Sequence, residues 1–559
     1  MSNPRGFRDI LFAEAARREK LIRDISDYFA SANYQLVETP SVEYPETLLC
    51  AQSGKPQTEA NSLRDTFRFV DVDGNLIALR SDVTGALARV VATRFSLVDP
   101  PYRLRYVADV FREQESLRGS DRQMTQIGLE CFGLSREQAD VEVLRLSLDG
   151  LKAAGLNTCF VHIGDVRIIR SLLQMNDAGK EWFDAVTSAW SSGDFIAVKD
   201  MLNAGSLDAA IADTILQLMN LRGGREAINA AEELLKNYPE ALQALNDLGT
   251  SYVALNDQYD DVGGLDDAKS QIIVDFSLTP HFDYYSGLIF ELYAKTAEER
   301  AHIVGSGGRY DGLMQKFGAA MPAAGFVYDL SALERVVVSY SESSDTQPAR
   351  TPLRIAVPKG KLYDDCVDLL RRADISTPGL DDPGRSLMLH DNDYQIIIAK
   401  PSDVAIYVSR GVADIGISGR DTLVEADFPL LQLADLRFGQ CEFVVATSND
   451  MKMSLEELSL AIGTIRVATK YPRLTQRYFD ERGIQVEIVK LNGNIELAPL
   501  IGIADVVVDI TQTGTTLREN NLRILDHVLP STARFVAQYS AARTDKRVVK
   551  LVKQLEELL

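Results

Sequence analysis

A short polar loop in the last quarter of the chain has the composition of a phosphate-binding site. The run 506–510 is apolar except for Asp509, as in a buried strand, and it leads into threonines around Gly514. A glycine permits a tight turn whose N–H groups point inward, and a following helix adds the positive end of its dipole. The pattern predicts a cup for a phosphate group, with Asp509 accepting hydrogen bonds from sugar hydroxyls. An ordinary strand–turn–helix with a threonine cap is the alternative.

Three further segments have cations or glycines where a strand ends. Lys359 and Lys361 flank a glycine directly after an apolar run, and a Gly-bracketed turn with an acid closes 411–421. Lys470 and Arg473 stand at the start of a helix that opens on a proline, which is a second candidate anion site. The sequence has no GxxxxGK[ST] and no GxGxxG, so a P-loop and a dinucleotide fold are excluded.

The elements that must position these residues fall into two regions. After residue 353, strands alternate with helical stretches, which predicts a mostly parallel α/β sheet with ligands beyond the carboxyl ends of its strands. Before it, a charged amphipathic helix precedes short alternating strands, which predict an antiparallel sheet, and an Ala/Leu-rich helical stretch interrupts them. We therefore predict a first domain over 1–340 with a helical insert at about 166–255, a Ser/Asp/Pro-rich linker over 341–351, and a second domain over 352–559.

Composition narrows the classes of partner. A net charge of −21 over 559 residues argues against tRNA or duplex binding, which needs a basic surface. The five cysteines show no metal-site spacing and favour a reducing compartment. Without an apolar stretch near 18 residues or an apolar leader, we expect a cytoplasmic protein with no membrane contact.

The second region resembles a known enzyme family. PKGKL, GVADIGISGRD, RVATKYPRLTQRYF and KLNGNIELAPLIGIADVVVDITQTGTTLREN are similar to the short form of ATP phosphoribosyltransferase, and these blocks cover nearly all of 353–559. The resemblance implies a two-lobed α/β domain like a type II periplasmic binding protein, with the active site between the lobes. It implies that N1 of ATP attacks C1 of phosphoribosyl pyrophosphate (PRPP), that pyrophosphate leaves, and that Mg²⁺ arrives with the substrates while the protein itself holds no metal.

The same resemblance assigns residues to the two substrates. PRPP would be bound by Asp505, Asp509, Thr511, Thr513, Gly514, Thr515 and Thr516. ATP and pyrophosphate would be bound by Lys359, Lys361, Gly416, Gly419, Asp421, Lys470, Arg473 and Glu496. Two positions depart from the family, because Lys400 replaces an arginine and Glu442 stands where a basic residue is expected; Lys and Arg are not equivalent at a bidentate phosphate site.

The first region resembles the core of class II histidyl-tRNA synthetases. The blocks FREQE, DRQMTQIGLE, DYYSGLIFE and VGSGGRYDGL carry this resemblance over about 1–338. It implies an antiparallel sheet core with a helical insert, and a histidine pocket formed by Asp82, Thr84, Arg112, Gln126, Glu130, Tyr284 and Tyr285.

Three features separate this region from an active synthetase. Pro280 stands where the family has an arginine for the carboxylate, and the transferase replaces the anticodon-binding domain. Ala332 stands where the family has an arginine for ATP, unless Arg335, one turn further on, substitutes for it. The pattern resembles the regulatory subunit that partners the short transferase, which implies L-histidine as feedback inhibitor, no tRNA, and a homo-oligomer formed through this domain. A synthetase with a passenger domain, a non-catalytic binding protein and a synthetase-like scaffold remain as alternatives.

Overall fold

The chain folds into two compact units. The computed structural model describes residues 2–52, 66–95, 99–113, 121–176, 178–260, 272–279, 284–342, 351–512 and 514–559. The first unit comprises Met1–Ser191 and Ala197–Pro348, and the second comprises Ser192–Ile196 and Ala349–Leu559. Most of the predicted linker lies outside the described residues.

The first unit is built on a nine-stranded sheet of order β1-β5-β6-β12-β11-β10-β7-β9-β8, beside a small sheet of order β2-β4-β3. All neighbours in the large sheet are antiparallel except β1/β5 and β7/β9. Burial alternates along β5, as the period of a strand with one covered face requires. The strands are β1 (Gln35–Leu36), β2 (Val42–Glu43), β3 (Arg68–Val70), β4 (Leu76–Leu79), β5 (Tyr102–Phe111), β6 (Gln123–Phe132), β7 (Cys159–Asp165), β8 (Arg222–Gly223), β9 (Ile272–Asp275), β10 (Leu288–Lys295), β11 (Ala301–Arg309) and β12 (Ala323–Asp329).

Helices flank this sheet, and six of them follow β7 in the segment predicted as a helical insert. Asp165 begins the first of the six, because its side chain accepts a hydrogen bond from the Arg167 N–H at 2.9 Å. No helix among the described residues is long and apolar enough to cross a membrane. The helices are Phe12–Ser31, Pro45–Gln52, Thr84–Arg94, Arg136–Ala153, Val166–Leu173, Gly179–Ser191, Phe195–Asn203, Ala209–Met219, Arg225–Leu235, Pro239–Asp260, Asp311–Lys316 and Leu330–Glu342.

The second unit has two sheets, of order β14-β15-β13-β16-β23-β17 and β20-β19-β21-β18-β22. We call the parts built on them the first and second lobes. The multidomain fold class predicted from the sequence is confirmed. The strands are β13 (Leu353–Pro358), β14 (Met388–His390), β15 (Tyr394–Ala399), β16 (Ile415–Gly419), β17 (Leu431–Asp435), β18 (Cys441–Ser448), β19 (Ile465–Thr469), β20 (Val486–Lys490), β21 (Val506–Thr511), β22 (Leu522–Ser531) and β23 (Ala533–Ala537).

Both sheets of this unit contain parallel and antiparallel strand pairs. The alternation of strands and helices in the sequence had predicted mostly parallel sheets. β18 pairs antiparallel with β21 and β22, and β23 pairs antiparallel with β16 and β17. The chain passes between lobes twice, after β17 and after β22. The helices are Tyr363–Arg372, Pro401–Ser409, Arg420–Ala426, Leu455–Ile462, Pro472–Asp480, Thr515–Glu519, Tyr539–Thr544 and Lys546–Leu558, with a 3-10 turn at Ile495–Leu497.

Candidate active site and ligand pocket

The predicted phosphate loop follows the central strand of the second lobe. Val506, Val507 and Val508 of β21 are fully buried, so the strand is anchored up to the half-buried Asp509. Gly514 has φ +70°, a left-handed conformation that favours glycine, and its N–H donates to Thr511 Oγ1 at 2.9 Å. Thr515 and Thr516 then open a short helix with exposed side chains. The predicted Thr513 lies outside the described residues.

Asp509 shares its surroundings with two other predicted residues. Burial raises the pKa of its carboxyl, and the negative charge of Glu496 raises it further. The backbone N–H of Ile510 and the positive charge of Lys470 lower this pKa. Lys470 and Glu496 thus lie close enough to act on the same carboxylate.

Asp505 does not belong to this group, contrary to the prediction. It precedes β21, and its carboxylate is bound by the Arg466 side chain at 2.7 and 3.2 Å. Asp509 lies four residues further along the strand, a distance of about 13 Å at 3.3 Å per residue. Asp505 therefore joins the amino ends of two strands and does not reach the loop.

In the first lobe, Asp421 is held at the second passage between lobes. Its backbone N–H donates to Ser531 Oγ at 3.0 Å, and the Ser531 hydroxyl lies 3.1 Å from Asp421 Oδ1. Burial raises the pKa of the neighbouring Cys441 thiol, Asp421 adds to this, and Lys361 lowers it. Lys361 is therefore close to Asp421, whereas the exposed Lys359 is fixed through its backbone N–H to the Ala399 carbonyl at 2.8 Å.

The two predicted glycines of β16 serve packing. A Cβ on Gly416 would lie 2.8 Å from Val408 and 2.9 Å from Val404, both on helix Pro401–Ser409. A Cβ on Gly419 would collide with the carboxylate of Asp421. Gly416 thus allows close contact between strand β16 and helix Pro401–Ser409, and Gly419 makes room for Asp421.

Tyr471 connects the two groups of residues. Burial raises the pKa of its hydroxyl well above the usual range, and the carboxylates of Asp421 and Asp509 raise it further. Its ring packs edge-on against Phe443, with ring centroids 4.7 Å apart. Asp421 of the first lobe and Asp509 of the second therefore both lie near the Tyr471 hydroxyl.

The second predicted anion site is already occupied by a side chain of the protein. The carboxylate of Glu425 accepts hydrogen bonds from the backbone N–H groups of Arg473, at 3.1 Å, and Leu474, at 3.0 Å, which begin helix Pro472–Asp480. The Arg473 guanidinium binds the Ala426 carbonyl at 3.2 Å and Asp427 at 3.3 Å. The prediction that Arg473 contacts ATP or pyrophosphate is therefore not supported in this arrangement.

In the first unit, Glu130 is the centre of a buried polar pocket. The side chain is 2% exposed, and its carboxylate accepts hydrogen bonds from the Tyr310 hydroxyl and from Thr84 Oγ1, the latter at 2.8 Å. A Cβ on Gly325 of β12 would collide with this carboxylate. Burial raises the pKa of Glu130 to about 8, although the hydrogen bonds from Tyr310 and Thr84 oppose the shift.

Five more predicted residues surround Glu130. Burial also raises the pKa of Asp82, opposed by the Gly85 N–H and by the charge of Arg112. The ring centroids of Tyr284 and Tyr285 lie 5.1 Å apart, and burial and the charges of Asp82 and Glu130 raise the pKa of both hydroxyls. Asp82, Thr84, Arg112, Tyr284 and Tyr285 thus share one pocket with Glu130. Two buried acids surrounded by aromatic rings suit a ligand with a cationic or N–H-rich head.

Gln126, which was also predicted to bind histidine, is separated from Glu130. It lies four residues before Glu130 on the same face of β6, and Gly128 stands between them. A Cβ on Gly128 would touch the ring of Tyr106, which pairs with Gly128 in β5. The Tyr106 ring therefore fills the space between Gln126 and Glu130.

Comparisons with known proteins match the two units separately. The family model for histidyl-tRNA synthetase matches residues 6–333, and the model for ATP phosphoribosyltransferase matches residues 400–557. An ATP phosphoribosyltransferase of Rubrobacter xylanophilus is 42% identical over 191 residues, covering 34% of this chain and 88% of the relative. One of Caldanaerobacter subterraneus is 41% identical over 208 residues, covering 37% and 96%. The chain belongs to both families.

A solved structure is also similar to this chain. An ATP phosphoribosyltransferase regulatory subunit/histidyl-tRNA synthetase from Bacillus halodurans matches with a TM-score of 0.53 and 24% identity, covering 71% of this chain and 92% of that one. This likeness supports the fold of the first unit. The second unit is an ATP phosphoribosyltransferase domain.

Within the transferase domain, one cation of the loop was missed from the sequence. Arg518, one helical turn after Gly514, donates to Thr515 Oγ1 at 3.3 Å, and a Cβ on Gly514 would lie 3.5 Å from its guanidinium. In the sequence GTTLREN, Arg518 stands four residues after Gly514, and this spacing could have identified it as a cation beside the turn. Tyr471 and Glu425 carried no comparable signal, because their roles depend on the opposite lobe.

The departures from the family pattern have different surroundings. A carboxylate oxygen of Glu442 lies 2.9 Å from Nδ1 of His527, and Glu442 lies opposite Thr511 in the pairing of β18 with β21, so it borders the loop. Lys400 is exposed and precedes helix Pro401–Ser409. In the synthetase-like unit, Ala332 is 3% exposed and Arg335 is exposed, while Pro280 lies outside the described residues.

Proposed function

We propose that the second unit transfers the phosphoribosyl group of PRPP to N1 of ATP and releases pyrophosphate, the first step of histidine biosynthesis. The observation that carries this proposal is that Asp421 of the first lobe and Asp509 of the second both lie near the Tyr471 hydroxyl, and that the turn at Gly514 follows Asp509 directly. The family membership of this unit supports the choice of substrates.

The reaction forms the N1–C1 bond as the bond from C1 to the pyrophosphate oxygen breaks. The turn at Gly514, with the hydroxyls of Thr511, Thr515 and Thr516 and the predicted Thr513, holds the 5′-phosphate. Arg518 adds a positive charge there, and Asp509 accepts hydrogen bonds from the ribose hydroxyls. Mg²⁺, brought by the substrates, and Lys361 stabilise the charge of the leaving pyrophosphate.

The first unit, in this proposal, binds L-histidine and lowers the activity of the second. Glu130 and Asp82 face the polar groups of the amino acid, Arg112 its carboxylate, and Tyr284 and Tyr285 its ring. The proposal includes a cytoplasmic homo-oligomer formed through this unit, without tRNA or membrane. Fusing sensor and enzyme fixes their stoichiometry and raises their effective concentration for each other.

A pyrophosphate-release assay tests the proposed function. With the purified full-length chain and Mg²⁺, release should require ATP and PRPP together. Histidine-dependent exchange of pyrophosphate into ATP without PRPP would instead identify a synthetase. Binding of ATP and PRPP without turnover would identify a binding protein, and either result would reject the proposal.

A further inference from the structure

One short helix of the second unit, Arg420–Ala426, contacts the apolar cores of both lobes. Its residue Leu423 is buried in the core of the first lobe, together with Val404 of helix Pro401–Ser409. The next residue, Val424, packs against the core of the second lobe, which includes Phe443. The helix therefore has an apolar anchor in each lobe, and any change in the position of one lobe relative to the other acts on it.

Glu425 adds a polar contact from this helix to the second lobe. Its carboxylate accepts hydrogen bonds from the backbone N–H groups of Arg473, at 3.1 Å, and Leu474, at 3.0 Å. The first N–H groups of a helix lack acceptors within the helix, and its dipole favours a negative charge at this end. Hydrogen bonds to an ionised acceptor are also roughly twice as strong as neutral ones. Glu425 therefore fixes the start of helix Pro472–Asp480 relative to helix Arg420–Ala426.

Both ends of this contact lie beside residues predicted to bind substrate. Asp421, predicted for ATP or pyrophosphate, stands one helical turn before Glu425, on the same face of the helix. On the other side, Lys470 and Tyr471 directly precede the capped helix. The positive charge of Lys470 lowers the pKa of Asp509, which is predicted to bind PRPP, so these two residues are close. The contact thus links a residue predicted for one substrate to residues beside the other.

We propose that Glu425 is a positioning residue for phosphoribosyl transfer, whose hydrogen bonds to Arg473 and Leu474 hold the residues that bind ATP at the correct distance from those that bind PRPP. This inference rests on the proposed function of the second unit. Bond formation needs N1 and C1 to approach to about 3–3.5 Å, and a misplacement of about 1 Å can slow a reaction by about 100-fold. Glu425 acts through the helix start, and its loss should therefore affect the reaction step more than the binding of either substrate.

Single-turnover kinetics of the full-length chain measure this reaction step. With the chain in excess over PRPP and with saturating ATP and Mg²⁺, the rate constant of PRPP consumption does not include product release. Glu425→Ala should lower this rate constant about tenfold or more. The affinity for PRPP, measured by calorimetry without ATP, should stay within about twofold, because the residues predicted to bind PRPP all lie in the second lobe.

A conservative variant tests whether the hydrogen bonds are the cause. Glu425→Gln keeps an oxygen that can accept from the same N–H groups, so it should retain the rate constant within about threefold. Glu425→Asp keeps the charge on a side chain one carbon shorter, so its rate constant should lie between those of Glu425→Ala and the wild type. The Arg473 guanidinium, which donates to the Ala426 carbonyl at 3.2 Å, still joins the lobes in these variants. Circular dichroism confirms that each variant is folded, and Glu425→Asp serves if Glu425→Ala is not.

A matched control separates positioning from stability. Ser454 is the N-cap of helix Leu455–Ile462 in the same lobe, and its side chain accepts a hydrogen bond from the Glu457 N–H at 3.2 Å. Ser454→Ala removes a helix cap within one lobe, so it should lower the melting temperature about as much as Glu425→Ala does. It should leave the single-turnover rate constant unchanged, because the contact between the lobes is intact.

The possible results separate this inference from the proposed function. A wild type that does not consume PRPP in the presence of ATP would reject the proposed function and this inference with it. An active wild type that Glu425→Ala equals in rate would overturn this inference alone. A parallel loss of PRPP affinity, an equal loss of rate in Ser454→Ala, or a Glu425→Gln variant as slow as Glu425→Ala would also overturn it.

Discussion

Two aspartates on either side of the same strand show how position decides the role of a residue. Asp509, at the carboxyl end of β21, is half-buried, and its pKa is raised mainly by burial. For Asp505, at the amino end, burial is outweighed by hydrogen bonds from Arg466, which lower its pKa. The first carboxylate lies near the Tyr471 hydroxyl, and the second is committed to a structural ion pair.

This contrast gives a matched pair of variants. Asp509→Asn should lower kcat/KM by about 100-fold or more, because a group that positions the reacting sugar is lost. Asp505→Asn should leave kcat/KM within about twofold and lower the melting temperature slightly, as expected for a partly exposed ion pair. Steady-state kinetics of both full-length variants check this, and equal losses would refute the separation of roles.

Glu130 makes stability depend on pH. Its pKa of about 8 lies above the ordinary 4.5, so between these values the folded chain keeps a proton that the unfolded chain has lost. The free energy of unfolding of the first unit should therefore fall as pH rises from about 4.5 to 8, by a few kcal/mol at most, at about 1.4 kcal/mol per pKa unit. In Glu130→Gln this group no longer titrates.

Thermal melting at about pH 5 and pH 8.5 checks this linkage. The wild type should lose more stability between the two pH values than Glu130→Gln. Parallel losses in the two proteins would show that Glu130 does not carry the raised pKa.

The sequence alone predicted some of the residues of the candidate site in each unit. Asp509, Gly514 and Glu130 could be found because their motifs are local, with an acid at a strand end, a glycine at a turn, or a signature block. Asp505, Gly416 and Arg473 have structural contacts that the sequence did not indicate, because their partners, Arg466, Val404 and Glu425, come from other segments. Spacing along the chain does not show such partners.

At the scale of elements, a side chain of one lobe caps a helix of the other. Glu425, on helix Arg420–Ala426, receives the first N–H groups of helix Pro472–Asp480, which would otherwise lack acceptors. This contact fills the position predicted for a substrate anion and joins the two lobes beside Tyr471.

Removal of this cap should destabilise the second unit. Glu425→Ala should lower its free energy of unfolding by about 1 kcal/mol, the usual cost of losing a helix N-cap. Glu557→Ala, which removes an exposed acid near a helix end, is the control and should change it by less than about 0.5 kcal/mol. Denaturant unfolding measures both, and an unchanged Glu425→Ala would show that solvent satisfies the helix start equally well.

The strands of the second unit explain why its sheets were only partly predicted. β13, β15, β16, β19 and β21 are short and mainly apolar runs with clear limits, which is the pattern of a buried strand. β22 is harder to recognise, because its apolar and charged residues do not alternate regularly and because it includes Pro530, which makes a run a weaker strand candidate. The antiparallel pairs that β22 and β23 form could therefore not be anticipated.

For the whole molecule, the central claim is that one chain contains both an enzyme and its sensor. The acidic net charge of −21 and the buried acids of the Glu130 pocket agree with small-molecule ligands in the first unit. In the proposed function, cations and backbone N–H groups of the second unit bind the substrate anions, at the turn at Gly514, Arg518, Lys361 and Lys470.

The most direct test is a histidine titration of pyrophosphate release by the full-length chain with saturating ATP and PRPP. We predict that L-histidine suppresses turnover in the wild type, and that Glu130→Gln keeps its turnover but responds only at much higher histidine concentrations. Turnover that is indifferent to histidine in the wild type, or inhibition that is identical in Glu130→Gln, would contradict the account.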